Sequence, residues 1–303
     1  MSVGLSQGPA PQAVPVPEEA PRPRRRRRSR SKVFGTPGWV TYLVLTLSVA
    51  AFAYPLWWSF VVASGTNATR GQTLPVVPGP NFMSNVDKVM AAIPFWKALG
   101  NSLLVSTVVT ISVVTFSTLA GYAFAKLKFH GRDRLMIFVI ATMAIPTQLG
   151  VIPLFMVMRE LGWVGEIQAV IIPLLVTAFG VFFMRQYLSG VIPTELLEAA
   201  RVDGANQFRT FLTVGVPAAR PAAAILGLFT FMLAWTDFLW PMIILDASNP
   251  TLQTALSNLQ SGYYIDFSIV LTGAVMATIP LLILFIVAGK QLISGIMQGA
   301  VKG

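Results

Sequence analysis

The sequence predicts an all-α integral membrane protein with six transmembrane helices. Of its 303 residues, 54% are hydrophobic and 11% are charged, whereas soluble globular domains carry about 25% charged residues. The apolar residues form long windows, each able to hold a helix that crosses roughly 30 Å of hydrocarbon. One long stretch, residues 193–221, is amphipathic instead and carries charges that are costly in hydrocarbon. We therefore expect it to lie in water on one face of the membrane.

Residues 1–38 form a Pro- and Arg-rich segment with an unbroken run at Arg24–Arg28. This composition cannot bury enough apolar surface to fold. We expect a disordered cytoplasmic tail that is attracted to anionic membrane lipid. An RNA-binding arm is the alternative, but the net charge of +10 is not spread over a soluble face, so no nucleic-acid partner is expected.

Residues 39–63 are predicted to form the first transmembrane helix, because they are apolar and have tryptophans near both ends. The triplet Ala51-Phe52-Ala53 looks like a signal-peptide cleavage site, but the charged leader is too long for a signal peptide. Residues 64–98 are polar and contain several prolines. They are predicted to form an extracytoplasmic loop with a surface helix at 83–98.

Five further apolar windows can each hold one span, and prolines inside them predict kinked helices. Four windows contain no charged residue, and the fifth is interrupted only by Asp237. The windows lie between Lys97 and Lys126, Arg134 and Arg159, Glu166 and Arg185, Arg220 and Asp246, and Asp266 and Lys290.

The distribution of lysine and arginine predicts the orientation of these spans. If the N-terminus is inside, most of the 22 Lys and Arg residues fall in inner segments, as the positive-inside rule requires. Both termini are then cytoplasmic. Residues 39–303 form one six-helix domain, with a cytoplasmic loop at 190–221 and a cytoplasmic C-terminal tail at 290–303.

The loop at 193–221 is predicted to contain two short helices joined by a hinge. Residues 194–202 are good helix formers that follow Pro193, which suits a first helical turn. Gly204 then breaks the run, because glycine tolerates a positive φ. A second helix is expected at 205–214 and is predicted to be closed by two prolines, Pro217 and Pro221.

The spacing in this loop resembles the signature of permease subunits of binding-protein-dependent ABC importers. It reads Glu198-Ala199-Ala200, then Gly204 after three residues, then Val214, Val216 and Pro217. Valines stand where Ile and Leu are more usual in that family. Segments 145–155, 180–205, 235–241 and 299–303 further resemble carbohydrate-importer permeases of the maltose type, and Thr236 departs from the usual Asn. The likeness covers residues 39–303.

The resemblance implies the type I ABC importer permease fold in a bacterial cytoplasmic membrane and import of an oligosaccharide or related polyol. It also implies a second homologous permease, two ATP-binding subunits and an extracytoplasmic solute-binding protein as partners. ATP and Mg would bind to the ATP-binding subunits, since this chain has no P-loop motif. No cofactor, metal site or covalent chemistry is expected in the chain itself, which has one histidine and no cysteine.

Coupling to the ATPase is predicted to depend on the first loop helix and its hinge. Charged residues would pair with the ATPase, small residues would allow close approach, and Asp203 would hold the bend. The predicted ATPase-coupling residues are Glu198, Ala199, Ala200, Arg201, Asp203, Gly204 and Pro217.

Asp237 is the only acid inside a predicted span and is flanked by Trp235 and Trp240. An intramembrane acid usually faces a cavity or a partner. Aromatic faces and a carboxylate suit a sugar, so these three residues are candidates for the substrate pathway. The alternative places Asp237 at the outer interface, with the tryptophans in an aromatic belt.

Three rival functions remain open. An ABC permease for glycerol phosphate, an amino acid or an ion would keep the class and change the cargo. An ion-driven secondary carrier needs intramembrane acids and bases, of which only Asp237 is available. A membrane-embedded enzyme needs a cluster of titratable groups, against which the single histidine and isolated acids argue.

Overall fold

The computed structural model describes residues 38–66, 77–261 and 265–300, and every regular element in them is helical. The Arg-rich tail, residues 67–76 of the first loop and the ending 301–303 lie outside the described residues. The helices are α1 (Trp39–Ala63), α2 (Phe82–Ala92), α3 (Phe95–Lys126), α4 (Arg132–Met143), α5 (Val151–Glu160), α6 (Gln168–Ile171), α7 (Ala178–Val191), α8 (Thr194–Val202), α9 (Gln207–Thr210), α10 (Val216–Thr236), α11 (Leu239–Ile244), α12 (Leu252–Ser257) and α13 (Phe267–Ala300).

The chain divides into two compact units at Ala51 and Phe52, inside α1. The described part of the first unit is the N-terminal half of α1, whose side chains are exposed. This helix begins at a turn in which Thr41 N donates to Gly38 O at 2.9 Å. All remaining described residues belong to the second unit.

Five helical runs are long and apolar enough to cross a membrane, and the sixth predicted span corresponds to a bent pair that has the geometry of a broken span or of a re-entrant loop. The five runs are Trp39–Ala63, Phe95–Lys126, Gln168–Val191, Gln207–Thr236 and Phe267–Val287. The bent pair joins Arg132–Met143 to Thr147–Glu160 at an angle of 88°. Its break includes Pro146, which lacks an amide donor and disfavours helical backbone in the preceding residue.

α3 lies at the centre of the second unit and packs against α7 and α10. It approaches α7 closely at Gly121, where an added Cβ would lie 2.6 Å from Met184 Cβ and 2.8 Å from Arg185 N. A second tight contact brings Ser117 of α3 against Gly180 of α7. Small residues therefore set the distance between these two helices.

A network of backbone and amide hydrogen bonds fixes the connection after α11. Asn101 Nδ2 donates to Asn249 Oδ1 at 3.2 Å and to Pro250 O at 2.9 Å. Asn249 Nδ2 in turn donates to Gly165 O at 3.1 Å, and Gly165 N donates to Ile244 O at 2.8 Å. These bonds hold the segment that follows α11 against α3 and against the turn after α5.

The prediction that prolines end the second loop helix is wrong. α9, a π turn at Phe211–Gly215 and α10 form one helical run from Gln207 to Thr236. Pro217 lies at the start of α10, just after the π turn, and Pro221 lies inside that helix, so neither proline ends the run. The loop between spans is therefore shorter than predicted, because its second helix continues directly into the next span.

Three other boundaries also differ from the sequence predictions. The surface helix expected at 83–98 is split, because α2 ends at Ala92 and α3 begins at Phe95, after Pro94. The span expected between Arg220 and Asp246 breaks after Thr236 and resumes as the short α11. The predicted C-terminal tail is helical up to Ala300, since α13 continues through it.

Candidate functional site

α8 is an exposed helix that ends in a glycine hinge. Leu197 is its only buried residue. At its C-terminus, Gly204 N donates to Arg201 O at 3.0 Å and Ala205 N donates to Ala200 O at 2.9 Å. This pair of bonds is the Schellman arrangement, and Gly204 holds the left-handed position with φ of 76°. The break in the helix and the positive φ predicted at Gly204 are thus present in the structure.

The outer face of α8 combines charge with apolar surface. Glu198, Ala199, Arg201 and Asp203 are exposed, and Ala200 is half-buried. Val202 is 88% exposed, so the same face also presents an apolar side chain to the surroundings. Such a face can dock on another protein through both apolar and charged contacts.

The chain segments on either side of α8 contact the last turns of α3. On the incoming side, Lys126 Nζ donates to Ser189 O at 3.0 Å and to Ile192 O at 2.7 Å, at the C-terminus of α7. On the outgoing side, the rings of Tyr122 and Phe211 lie 5.2 Å apart between centroids. The segments that lead into and out of the α8 region are therefore both in contact with α3.

Sequence reasoning missed Tyr122 and Lys126. They are four residues apart, so they share one face of α3. The spacing is visible in the sequence, but it does not show which distant residues the two side chains contact.

Pro217 is one of the predicted coupling residues, but it lies at the start of α10. It therefore belongs to the segment that follows α8 and α9 and does not form part of the exposed face of α8.

A cavity of about 680 Å³ lies beside the break that follows α10. Its walls come from α3, the turn before α5, the start of α7 and the end of α10. Asp237 lines it and is half-buried. The backbone amides of Phe238, Leu239 and Trp240 approach the Asp237 carboxylate, which therefore also stabilises the first turn of α11.

The two tryptophans predicted beside Asp237 do not line this cavity. Trp235 is buried and stacks on Phe231, with ring centroids 5.8 Å apart. Trp240 is also buried, and its Nε1 donates to Ala169 O at 3.0 Å. Of the three predicted pathway residues, only Asp237 reaches the cavity.

In the described part of the chain, no group of three or more His, Cys, Asp or Glu residues could hold a metal ion.

A helical multi-pass protein with an exposed capped helix and a cavity between spans has the properties of a membrane transport component. Residues 114–293 match the family described as binding-protein-dependent transport system inner membrane component, and the chain belongs to that family. It is thus a multi-pass permease component of an ABC importer in the inner membrane.

Several characterised proteins are similar to this chain. The arabinooligosaccharide transport permease of Halalkalibacterium halodurans is 36% identical over 210 residues, covering 69% of this chain and 75% of that protein. The lactose transport permease of Rhizobium radiobacter is 32% identical over 269 residues, covering 88% and 97%. The sn-glycerol-3-phosphate transport permease of Yersinia pestis is 26% identical, covering 85% and 95%.

The fold is also similar to a solved structure. A chain in the crystal structure of a bacterial ABC transporter that imports the acidic polysaccharide alginate superimposes with a TM-score of 0.70 at 25% identity. The match covers 83% of this chain and 94% of that one. The fold predicted from the sequence is therefore confirmed.

Proposed function

We propose that this chain is a transmembrane subunit of an ATP-driven sugar importer. In this proposal the chain moves an oligosaccharide or related polyol by alternating access and hydrolyses no ATP itself. The observation that carries the proposal is the exposed, glycine-capped α8, whose flanking segments on both sides contact α3. Permeases for arabinooligosaccharides and lactose among the similar proteins support the sugar assignment.

The α8 helix would dock on a separate ATPase subunit on the cytoplasmic side. Glu198 and Arg201 would pair with charges of the ATPase, while Ala199 and Ala200 would let its surface approach closely. Closure of the ATPase pair would push α8 as a rigid body. Lys126 and Tyr122 would pass this movement to α3, which packs against the helices that line the cavity.

Membership in the family supports a set of partners. The complete importer would contain a second homologous permease and two ATP-binding subunits that hold ATP and Mg. An extracytoplasmic solute-binding protein would deliver the sugar. The residues of this chain are compatible with either an identical or a different second permease.

ATP dependence of transport in the complete complex tests this function. We expect sugar uptake into proteoliposomes to require enclosed ATP and to stop when the ATP-binding subunit carries an inactive nucleotide site. An ion-driven carrier would continue to transport under an ion gradient without ATP. Such ATP-independent uptake would contradict the proposal.

Lys126→Met is expected to weaken coupling more than stability. The change leaves two carbonyls at the end of α7 without their charged donor, and these carbonyls are partly accessible to water, so we expect a stability loss of about 1 kcal/mol. Sugar-stimulated ATP hydrolysis should fall by about tenfold, because coupling between distant sites is typically worth that much.

Lys128→Met is the matched control for this variant. Lys128 is exposed, lies two residues further on and donates to neither of the two carbonyls. It should therefore retain normal sugar-stimulated ATP hydrolysis. Equal loss in the two variants would show that a general change in surface charge, and not the contact with α7, causes the defect.

A further inference from the structure

The cavity beside Asp237 carries one acidic group and no basic one. Among the described residues that line it, Asp237 is the only acid, and none is Lys, Arg or His. Its volume of about 680 Å³ lies within the range of small-molecule sites, roughly 300–1,000 Å³. A phosphate or carboxylate in this space would face a like charge with no lining cation to compensate it.

The remaining walls of the cavity combine aliphatic side chains with aromatic rings and threonine hydroxyl groups. Phe179 and Phe229 lie with ring centroids 5.7 Å apart, and both are partly exposed. Thr177 Oγ1 accepts a hydrogen bond from Gly180 N at 3.2 Å, so its hydroxyl hydrogen can donate to a bound molecule. Aromatic faces and a few convergent polar groups are typical of a site for a neutral ligand with an apolar face.

We infer that this cavity binds a neutral, polyhydroxylated sugar and excludes phosphorylated and acidic sugars. The Asp237 carboxylate accepts hydrogen bonds from sugar hydroxyls, while Phe179 and Phe229 contact the C–H faces of the sugar ring. A carboxylate can only accept, so it favours hydroxyl donors and repels anions. This inference rests on the proposed function, since it assigns the chemical class of the cargo.

Sequence similarity does not choose among these cargo classes. Permeases for lactose and for glycerol phosphate are both similar to this chain, and the similar solved transporter imports an acidic polysaccharide. The charge of the cavity lining makes the distinction. Asp237 would act as a specificity-determining residue in addition to stabilising the first turn of α11.

Direct binding to the purified complete complex tests the inference, because uptake would also reflect the selectivity of the solute-binding protein. The complex is placed in lipid nanodiscs without that protein and titrated calorimetrically with paired probes. Lactose is compared with lactose 6-phosphate, and maltose with maltose 6-phosphate. We expect at least one neutral sugar to bind about tenfold or more tightly than its phosphorylated partner.

Asp237→Asn should bring this binding ratio close to one. Asparagine keeps the shape and an acceptor for the α11 amides, so loss of the negative charge is the main change. Asp246→Asn is the matched control. Hydrogen bonds from Ser248 lower the pKa of Asp246, so this control also removes a negative charge, but from an exposed turn outside the cavity. It should keep the wild-type ratio.

Two results would overturn the inference. One is a wild-type complex in which no neutral sugar binds more tightly than its phosphorylated partner, and this result can be obtained even if Asp237→Asn does not assemble. The other is an unchanged ratio in Asp237→Asn. ATP hydrolysis and ATP-driven uptake by the same wild-type complex are measured separately. Their absence would contradict the proposed function and leave the binding ratio interpretable.

Discussion

Replacing Gly204 with Val is expected to reduce ATP-dependent uptake strongly while leaving the complex assembled. Gly204 has a φ of 76°, a region that costs an L-residue roughly 1–2 kcal/mol and suits a branched side chain least. No neighbouring atom lies within 4 Å of an added Cβ, so the substitution causes no packing clash. The backbone would relax at the hinge and change the direction of α8 relative to the following run.

Because α8 is the proposed contact with the ATPase, this change should reduce uptake by more than about tenfold. Uptake and assembly are measured together, by transport assay and by co-purification of the partner subunits. Gly131→Val provides a matched control, since Gly131 has a φ of 79° and equally open surroundings but lies before α4. If both variants lose uptake equally, backbone strain alone explains the effect and the hinge has no special role.

Gly121→Val is expected to prevent accumulation of the folded protein. A Cβ at this position would meet Met184 Cβ at 2.6 Å and Arg185 N at 2.8 Å. The second of these is a backbone atom, so rotation of a side chain cannot relieve the clash. α3 and α7 would have to separate, and overpacking of this kind costs about 1–3 kcal/mol or more.

The yield and the midpoint of thermal unfolding of the purified complex measure this effect. Gly100→Val makes the same change in the same helix at a position where nothing lies within 4 Å of the new Cβ. It should behave like the wild type. A normal yield and unfolding midpoint for Gly121→Val would mean that the close approach of α3 and α7 does not set their packing.

The helical fold and the exposed hinge could be predicted from the sequence because they depend on local information. Charge-free windows of sufficient length identify spans, and glycine after a run of helix formers identifies the turn at Gly204. The proline prediction failed because, in the sequence, a proline that ends a helix cannot be distinguished from a proline inside a continuous helical run. Only the continuous run through the π turn separates the two readings of Pro217.

The cavity could be predicted only in part. Asp237 was identifiable as a lone acid in an apolar window, but the helix breaks beside it. Because of this break, side chains that are close in the sequence have different surroundings. Trp235 and Trp240 are buried in the interior, whereas Asp237 lines the cavity. The opposite wall, with Thr177 and Phe179, comes from a distant helix and has no local signal.

Cross-linking from Ala199 tests the proposed coupling most directly. The sequence contains no cysteine, so Ala199→Cys would introduce the single thiol of this chain on the exposed face of α8. In the complete complex, a short thiol-directed photo-cross-linker at this position should join the chain to an ATP-binding subunit. Adducts that form only with lipid or with an extracytoplasmic protein would contradict the account.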